Sequence, residues 1–222
     1  MCFSTQASFI SSAVLLTAGA VTIAKTRTKS QRVFAALPVI FAFQQFCEGF
    51  VWLSTTTVQY AHLKSLSIYS FLFFALLVWP LFVPIGILLL EKNKKRRKIL
   101  FYFAAMGLMT VIFFVFCLCN YNASIEVNPY HIRYVIDFPL ADRWYYDILY
   151  FIPAFFPMFI SSISRMRLLG IILLISYVIS RLFFRDYIIS VWCFFGALSS
   201  IVVFFIISQV VAMDKPEEKV SS

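Results

Sequence analysis

Hydrophobic and polar positions along this chain fall in long blocks. Apolar runs cover about 5–24, 33–54, 68–90, 99–119, 147–163, 168–183 and 187–212, with short polar segments between them. At 1.5 Å per residue, about 20 apolar residues cross a hydrocarbon core ~30 Å thick. The pattern predicts an all-α fold, a polytopic membrane seven-helix bundle formed by a single domain over 1–212, with 213–222 as a disordered polar tail. One stretch has a different period. Residues 131–138 alternate polar and apolar side chains behind Asn128-Pro129, a turn signal, so the loop 120–146 between helices 4 and 5 is expected to carry a short hairpin. Trp144, Tyr145, Tyr146 and Tyr150 follow as an interfacial aromatic belt.

Proline modulates two of the runs. Trp79-Pro80 with Pro84, and Pro153 with Pro157, remove backbone donors inside apolar helices, which predicts bends whose freed carbonyls need partners from neighbouring helices. Composition then excludes the soluble classes. The chain is 62% hydrophobic and 13% charged, against about 25% charged for a soluble domain. Its net charge of +9 does not point to nucleic acid, because the basic residues lie in short connectors and no basic domain exists to release counterions.

Those connectors orient the bundle. Lys25, Arg27, Lys29 and Arg32, the six basic residues between Lys92 and Lys98, and Arg165 with Arg167 fall on one side; Lys64, Arg133, Arg143, Arg181 and Arg185 fall on the other. Twelve against five places the first group in the cytoplasm, with the N-terminus outside and the C-terminus inside. The first run lacks the basic n-region of a cleaved signal and is expected to stay as an anchor.

Candidate chemistry gathers around Glu48, the one acidic residue placed well inside an apolar run. An ionisable group in hydrocarbon costs at least ~2.5 kcal/mol, which makes it a site hypothesis. Gln44 and Trp52 lie one turn to either side of it, and Gln45 and Cys47 adjoin it. In the expected orientation all five cysteines, Cys2, Cys47, Cys117, Cys119 and Cys193, fall in the outer half, with His131 in the loop above. A pocket there would be lined by Gln44, Gln45, Trp52, Trp79, Tyr134, Trp192 and Cys193. Three chemistries fit these residue types. Cys2, Glu48, His131 and Cys193 offer S, O, N and S donors to a zinc-like ion. The cysteines could relay disulfides on an oxidising face. Cys2 could act as a nucleophile with Glu48 or His131 as base. Beside them stands the structural reading, in which Glu48 only locks helices together. No lysine inside a run could hold a retinal, and two histidines cannot form a three-histidine zinc site.

Met1-Cys2-Phe3-Ser4 with Ala7-Ser8-Phe9, Gln44-Gln45 with Glu48-Gly49 and Val51-Trp52-Leu53, Trp79-Pro80 with Val83-Pro84, and Ser190-Val191-Trp192-Cys193-Phe194-Phe195 are spread over nearly the whole chain. In these motifs the chain resembles an uncharacterised group of small bacterial membrane proteins that begin Met-Cys-Phe-Ser. The resemblance implies a bacterial inner-membrane setting with a periplasmic outer face. The functional expectation is a periplasm-facing pocket around Glu48, serving a small membrane enzyme on a lipid or amphipathic substrate. The alternatives are a non-catalytic receptor or structural protein and a small-solute transporter. The bilayer is the expected partner.

Overall fold

The computed structural model describes residues 4–128, 131–138 and 144–214, with backbone only for 144–147. Cys2, the side chains of Trp144, Tyr145 and Tyr146, and the tail beyond 214 lie outside the described residues. The element order is α1 (Thr5–Ala24), α2 (Lys29–Thr56), α3 (Val58–Leu90), α4 (Lys94–Asn120), β1 (Ala123–Asn128), β2 (His131–Ile136), α5 (Trp144–Phe155), α6 (Ser164–Phe183) and α7 (Arg185–Met213). Six of these helices, all but α5, are long and apolar enough to cross a membrane. The fifth run forms a shorter apolar helix, Ile148–Ile160, which Pro157 restarts after Phe155 and which stops at Ser161. Ile10, Phe43, Phe101, Met109, Phe116, Leu182 and Phe183 are all exposed on the bundle surface. Water would not tolerate so continuous an apolar exterior, and lipid does. The chain is a multi-pass membrane protein.

Helix ends form where side chains satisfy orphan backbone donors. Ser4 accepts from the Ala7 amide, and Asn93 accepts from those of Lys95 and Arg96. Thr28 and Gln31 form a reciprocal capping box that starts α2. The basic connectors meet at one end of the bundle. Lys92 pairs with Asp214, to which Gln31 also donates at 2.8 Å. Arg165 donates to the Phe205 carbonyl at 2.7 Å, and Lys25 lies over the Phe204 ring at 3.8 Å.

Between the ends, small residues let backbones approach. A Cβ on Gly19 of α1 would stand 3.0 Å from the Val39 amide nitrogen of α2, and one on Gly107 of α4 would meet the Pro80 carbonyl of α3. Pro84 removes the donor that Pro80's carbonyl would use in an unbroken helix. Upstream, α3 widens into a π-helical turn over Phe73–Val78. In such a turn the donor five residues beyond Ala75 is Pro80, which has none, and the Tyr150 hydroxyl of α5 donates to Ala75's carbonyl at 2.7 Å instead. The carbonyl that Pro80 leaves without a donor thus finds its partner on α5, as expected of a proline inside an apolar helix.

The hairpin is present at the opposite end. β1 and β2 are antiparallel with Ala123 opposite Ile136 and Asn128 opposite His131. Ile132, Tyr134 and Ile136 are buried against the bundle, as the alternation requires, and Tyr134 stacks on Phe71 of α3 at 4.5 Å. The core has two parts: one around Phe34, Trp79, Ile87, Met166 and Ile206 toward the basic end, and one around Phe71, Leu72, Phe114, Ile132 and Cys193 beneath the hairpin.

Candidate functional site

The buried polar centre forms where α2 crosses α7. Gln45 and Glu48 are three residues apart on α2, which puts both side chains on one helical face. The Glu48 carboxylate is fully buried and both its oxygens accept hydrogen bonds, Oε1 from the Ser190 hydroxyl of α7 at 2.6 Å and Oε2 from Gln45 Nε2 at 3.2 Å. One turn deeper, Gln44 Oε1 accepts from Trp79 Nε1 of α3 at 2.7 Å, and the Trp79 ring stacks on Phe41 at 3.9 Å. Three helices are therefore joined by polar contacts in an apolar interior, where competing water is scarce.

Two cavities lie alongside this centre. The larger, about 670 Å³, opens beneath the hairpin between β2, α5, α6 and α7, with Tyr134, Tyr150, Phe151, Tyr177 and Trp192 among its walls and Arg133, Arg181 and Arg185 around it. The smaller, about 60 Å³, is apolar and lies deeper, bounded by Phe34, Phe41, Trp79, Val83 and Met158. Tyr150, Trp192 and Cys193 line both and form the partition between them. Glu48, Gln44, Gln45 and Trp52 line neither.

The residues singled out from the sequence thus separate into groups. Gln44, Gln45, Glu48 and Trp79 converge on the polar centre, and Cys193 stands within electrostatic reach of Glu48. Trp79, Tyr134, Trp192 and Cys193 are cavity residues. Trp52 packs with Phe71 in the core beneath the hairpin, with its Nε1 buried and without an acceptor among the described residues. His131 sits on the hairpin, stacked on Tyr187 at 4.9 Å, and burial lowers its pKa below the ordinary imidazole value. Cys2 lies outside the described residues. Among those described, no three His, Cys, Asp or Glu side chains gather as a metal ion would require, and Cys47, Cys117, Cys119 and Cys193 are unpaired thiols.

The structure adds residues that spacing alone did not reveal. Ser190 holds Glu48 from 142 positions away. Arg181 and Arg185, counted for orientation, stand at the larger cavity. Glu91, which reads as part of the basic cluster, is 1% exposed and is a buried acid in its own right. Its signal was its place as the first polar residue after an apolar run.

A family model described as "Family of unknown function (DUF6629)" matches residues 1–218. The chain belongs to this family. No curated protein and no solved structure matches the chain. The family description carries no activity.

Loss of the Glu48 carboxylate has a defined expectation. Hydrogen bonds between membrane helices average ~0.6 kcal/mol, and a buried polar group left unsatisfied costs ~1–3 kcal/mol. Glu48→Leu strands both Ser190 and Gln45 and is expected to remove about 2 kcal/mol, whereas Glu48→Gln, which keeps an acceptor for Ser190, removes under about 1 kcal/mol. Thermal unfolding in a mild detergent checks the order; equal losses for the two variants would contradict the helix-locking role.

Proposed function

We propose that this protein is a membrane-embedded binding protein that takes an amphipathic ligand into the cavity beneath the hairpin. The observation that carries this reading is the cavity itself. Its volume of about 670 Å³ lies within the ~300–1,000 Å³ of small-molecule sites. Its inner wall is aromatic, with Trp192 edge-on to Tyr177 at 5.4 Å and to Tyr150 at 5.9 Å, and its polar groups gather at the hairpin end. A ligand with one wet and one apolar end matches that gradient.

A binding role is favoured over catalysis because Glu48, the strongest acid/base candidate, lines neither cavity and has both oxygens occupied. General acid/base work needs hydrogen-bond reach of the substrate. The reading takes the short helix Ile148–Ile160 as a fifth of seven crossings and the hairpin end as the outer one; what supports it is that the basic connectors then all lie together on the opposite, cytoplasmic side. With the resemblance to bacterial proteins beginning Met-Cys-Phe-Ser, the cavity faces the periplasmic leaflet of an inner membrane.

Intrinsic fluorescence tests the reading. The full chain in lipid nanodiscs is titrated with a single-chain maltoside whose tail end is brominated, bromine being a contact quencher. Saturable quenching that falls by at least half in Trp192→Phe is the expected result. Quenching that rises linearly with amphiphile and is indifferent to that substitution would overturn it.

A further inference from the structure

We infer that the ligand is a single-chain anionic amphiphile whose head is held by Arg181 and Arg185 and whose tail passes Trp192 into the deeper apolar cavity. This deepens the binding role proposed above and rests on it. Charge supplies the first argument. Among the described residues, three arginines line the larger cavity against one acid, Asp186. Arg133 is paired with Glu126 at 3.0 Å, while Arg181 ends α6 and Arg185 follows it in the turn to α7. Arg185 is exposed and makes no ion pair among the described residues. Guanidinium groups match carboxylate and phosphate oxygens in two-point geometry, which a lysine cannot reproduce.

The same surroundings discriminate between heads. Tyr150, Phe151, Tyr177 and Trp192 form an aromatic group that, by itself, would also suit a quaternary ammonium ion. The arginines oppose a cation there and favour an anion. Trp192 adds a donor: its Nε1 is buried and has no acceptor among the described residues. An oxygen at the junction of head and tail would satisfy it, removing the penalty of a buried unpaired N–H.

Shape supplies the tail argument. Beyond the partition of Tyr150, Trp192 and Cys193 the walls are Phe34, Leu37, Phe41, Val83 and Met158, with space of about 60 Å³. This small space between apolar walls suits the tip of one chain. The anionic head could belong to a free carboxylate or phosphate amphiphile, or to a two-chain bilayer lipid. The inner cavity favours the single chain.

The test uses the full chain in phosphatidylcholine nanodiscs and brominated dodecyl amphiphiles with phosphate, maltoside or trimethylammonium heads. Charge-assisted hydrogen bonds contribute ~1.5–3 kcal/mol, so dodecyl phosphate should half-saturate the tryptophan quenching at about tenfold lower concentration than the trimethylammonium compound. The double variant R181Q/R185Q should raise the phosphate midpoint about tenfold and leave the maltoside midpoint unchanged, with R181K/R185K recovering part of the loss. If the double variant melts earlier than wild type, Arg185→Gln alone, at an exposed position, carries the comparison with a smaller shift in the same direction. Equal midpoints for all heads would overturn the anionic assignment while leaving amphiphile binding intact. No saturation with any head would overturn the binding role itself. Saturable quenching by tail-brominated phosphatidylglycerol in the disc, displacing dodecyl phosphate, would assign the site to a bilayer lipid and overturn the single-chain part.

Discussion

Gly107→Ala is expected to lower stability by about 3 kcal/mol, although the same change in an ordinary helix gains up to ~1 kcal/mol in helix propensity. The reason is the atom that the new methyl would meet. A Cβ at Gly107 runs into the Pro80 carbonyl oxygen and stands 2.9 Å from its carbon and 3.3 Å from the Leu81 Cα. These are backbone atoms of α3 and cannot rotate away as a side chain can. Moving α3 would disturb its π-helical turn and the Tyr150 hydroxyl bond to Ala75 that closes it. Overpacking typically costs 1–3 kcal/mol, and a rigid neighbour puts this site at the upper end. Thermal unfolding in detergent, with Gly86→Ala alongside, decides the matter. At Gly86 the nearest atom is 3.2 Å away on the Phe34 ring, a side chain able to give, so the smaller loss belongs there. A stabilising Gly107→Ala would mean that α3 and α4 do not approach as described.

Glu91→Ala should be about as damaging, and only above acidic pH. Glu91 closes α3 at the basic end and is 1% exposed. Its Oε1 accepts from the Asn93 amide at 2.9 Å and the Ser162 hydroxyl at 2.8 Å, and its Oε2 accepts from the Ser162 amide at 2.7 Å. It therefore ties the end of α3 to the Ser161–Ile163 bend that links the short fifth helix to α6. Burial pushes the carboxyl's pKa up, but the Ser162 and Asn93 amides, the Ser162 hydroxyl and nearby Arg96 more than offset this, and the net shift is downward from 4.5. Removing one partner of a buried, charged hydrogen-bonded group costs ~3–5 kcal/mol, and we expect about 3 for Glu91→Ala. A lowered folded pKa means that stability from the ionised form is fully present above the unfolded value and is lost as pH falls through the folded one. The difference in melting temperature between wild type and Glu91→Ala should accordingly be constant from about pH 6 to 8 and shrink below about 4.5. A difference that persists unchanged at pH 3 would show that the carboxylate's charge is not what Ser162 and Asn93 recognise.

The legible parts of this protein were those decided by solvent preference. Apolar runs marked the long helices, yet α3 begins at Val58 where the run begins at about 68, because the segment before the run is also helical, and Pro157 with the Ser161-Ser162 bend interrupts the fifth. Period-two alternation over 131–138 located β2, since a hairpin with one face on an apolar bundle must bury every second residue. Glu48 was conspicuous because an acid in an apolar run is expensive. Its partner was not. Ser190 is a small polar residue of a kind common in membrane helices, and only the crossing of α2 and α7 shows which carboxylate oxygen it holds. Glu91 stayed hidden for the opposite reason: beside six basic residues an acid looks solvated, and nothing local reveals that Ser162 covers it.

By itself, then, the sequence determined that this chain lives in a bilayer and is built from long apolar helices, because the transfer of apolar side chains is additive along a chain. It also determined which end is basic. Only the tertiary structure decided that Glu48 faces Ser190 and lines neither cavity, that Tyr150 repairs the proline-broken carbonyl of Ala75, and that Arg181, Arg185 and Trp192 surround one cavity beneath the hairpin. Such relations depend on how helices cross, and crossings are fixed by close approach at residues such as Gly19 and Gly107 and by polar pairs between distant positions.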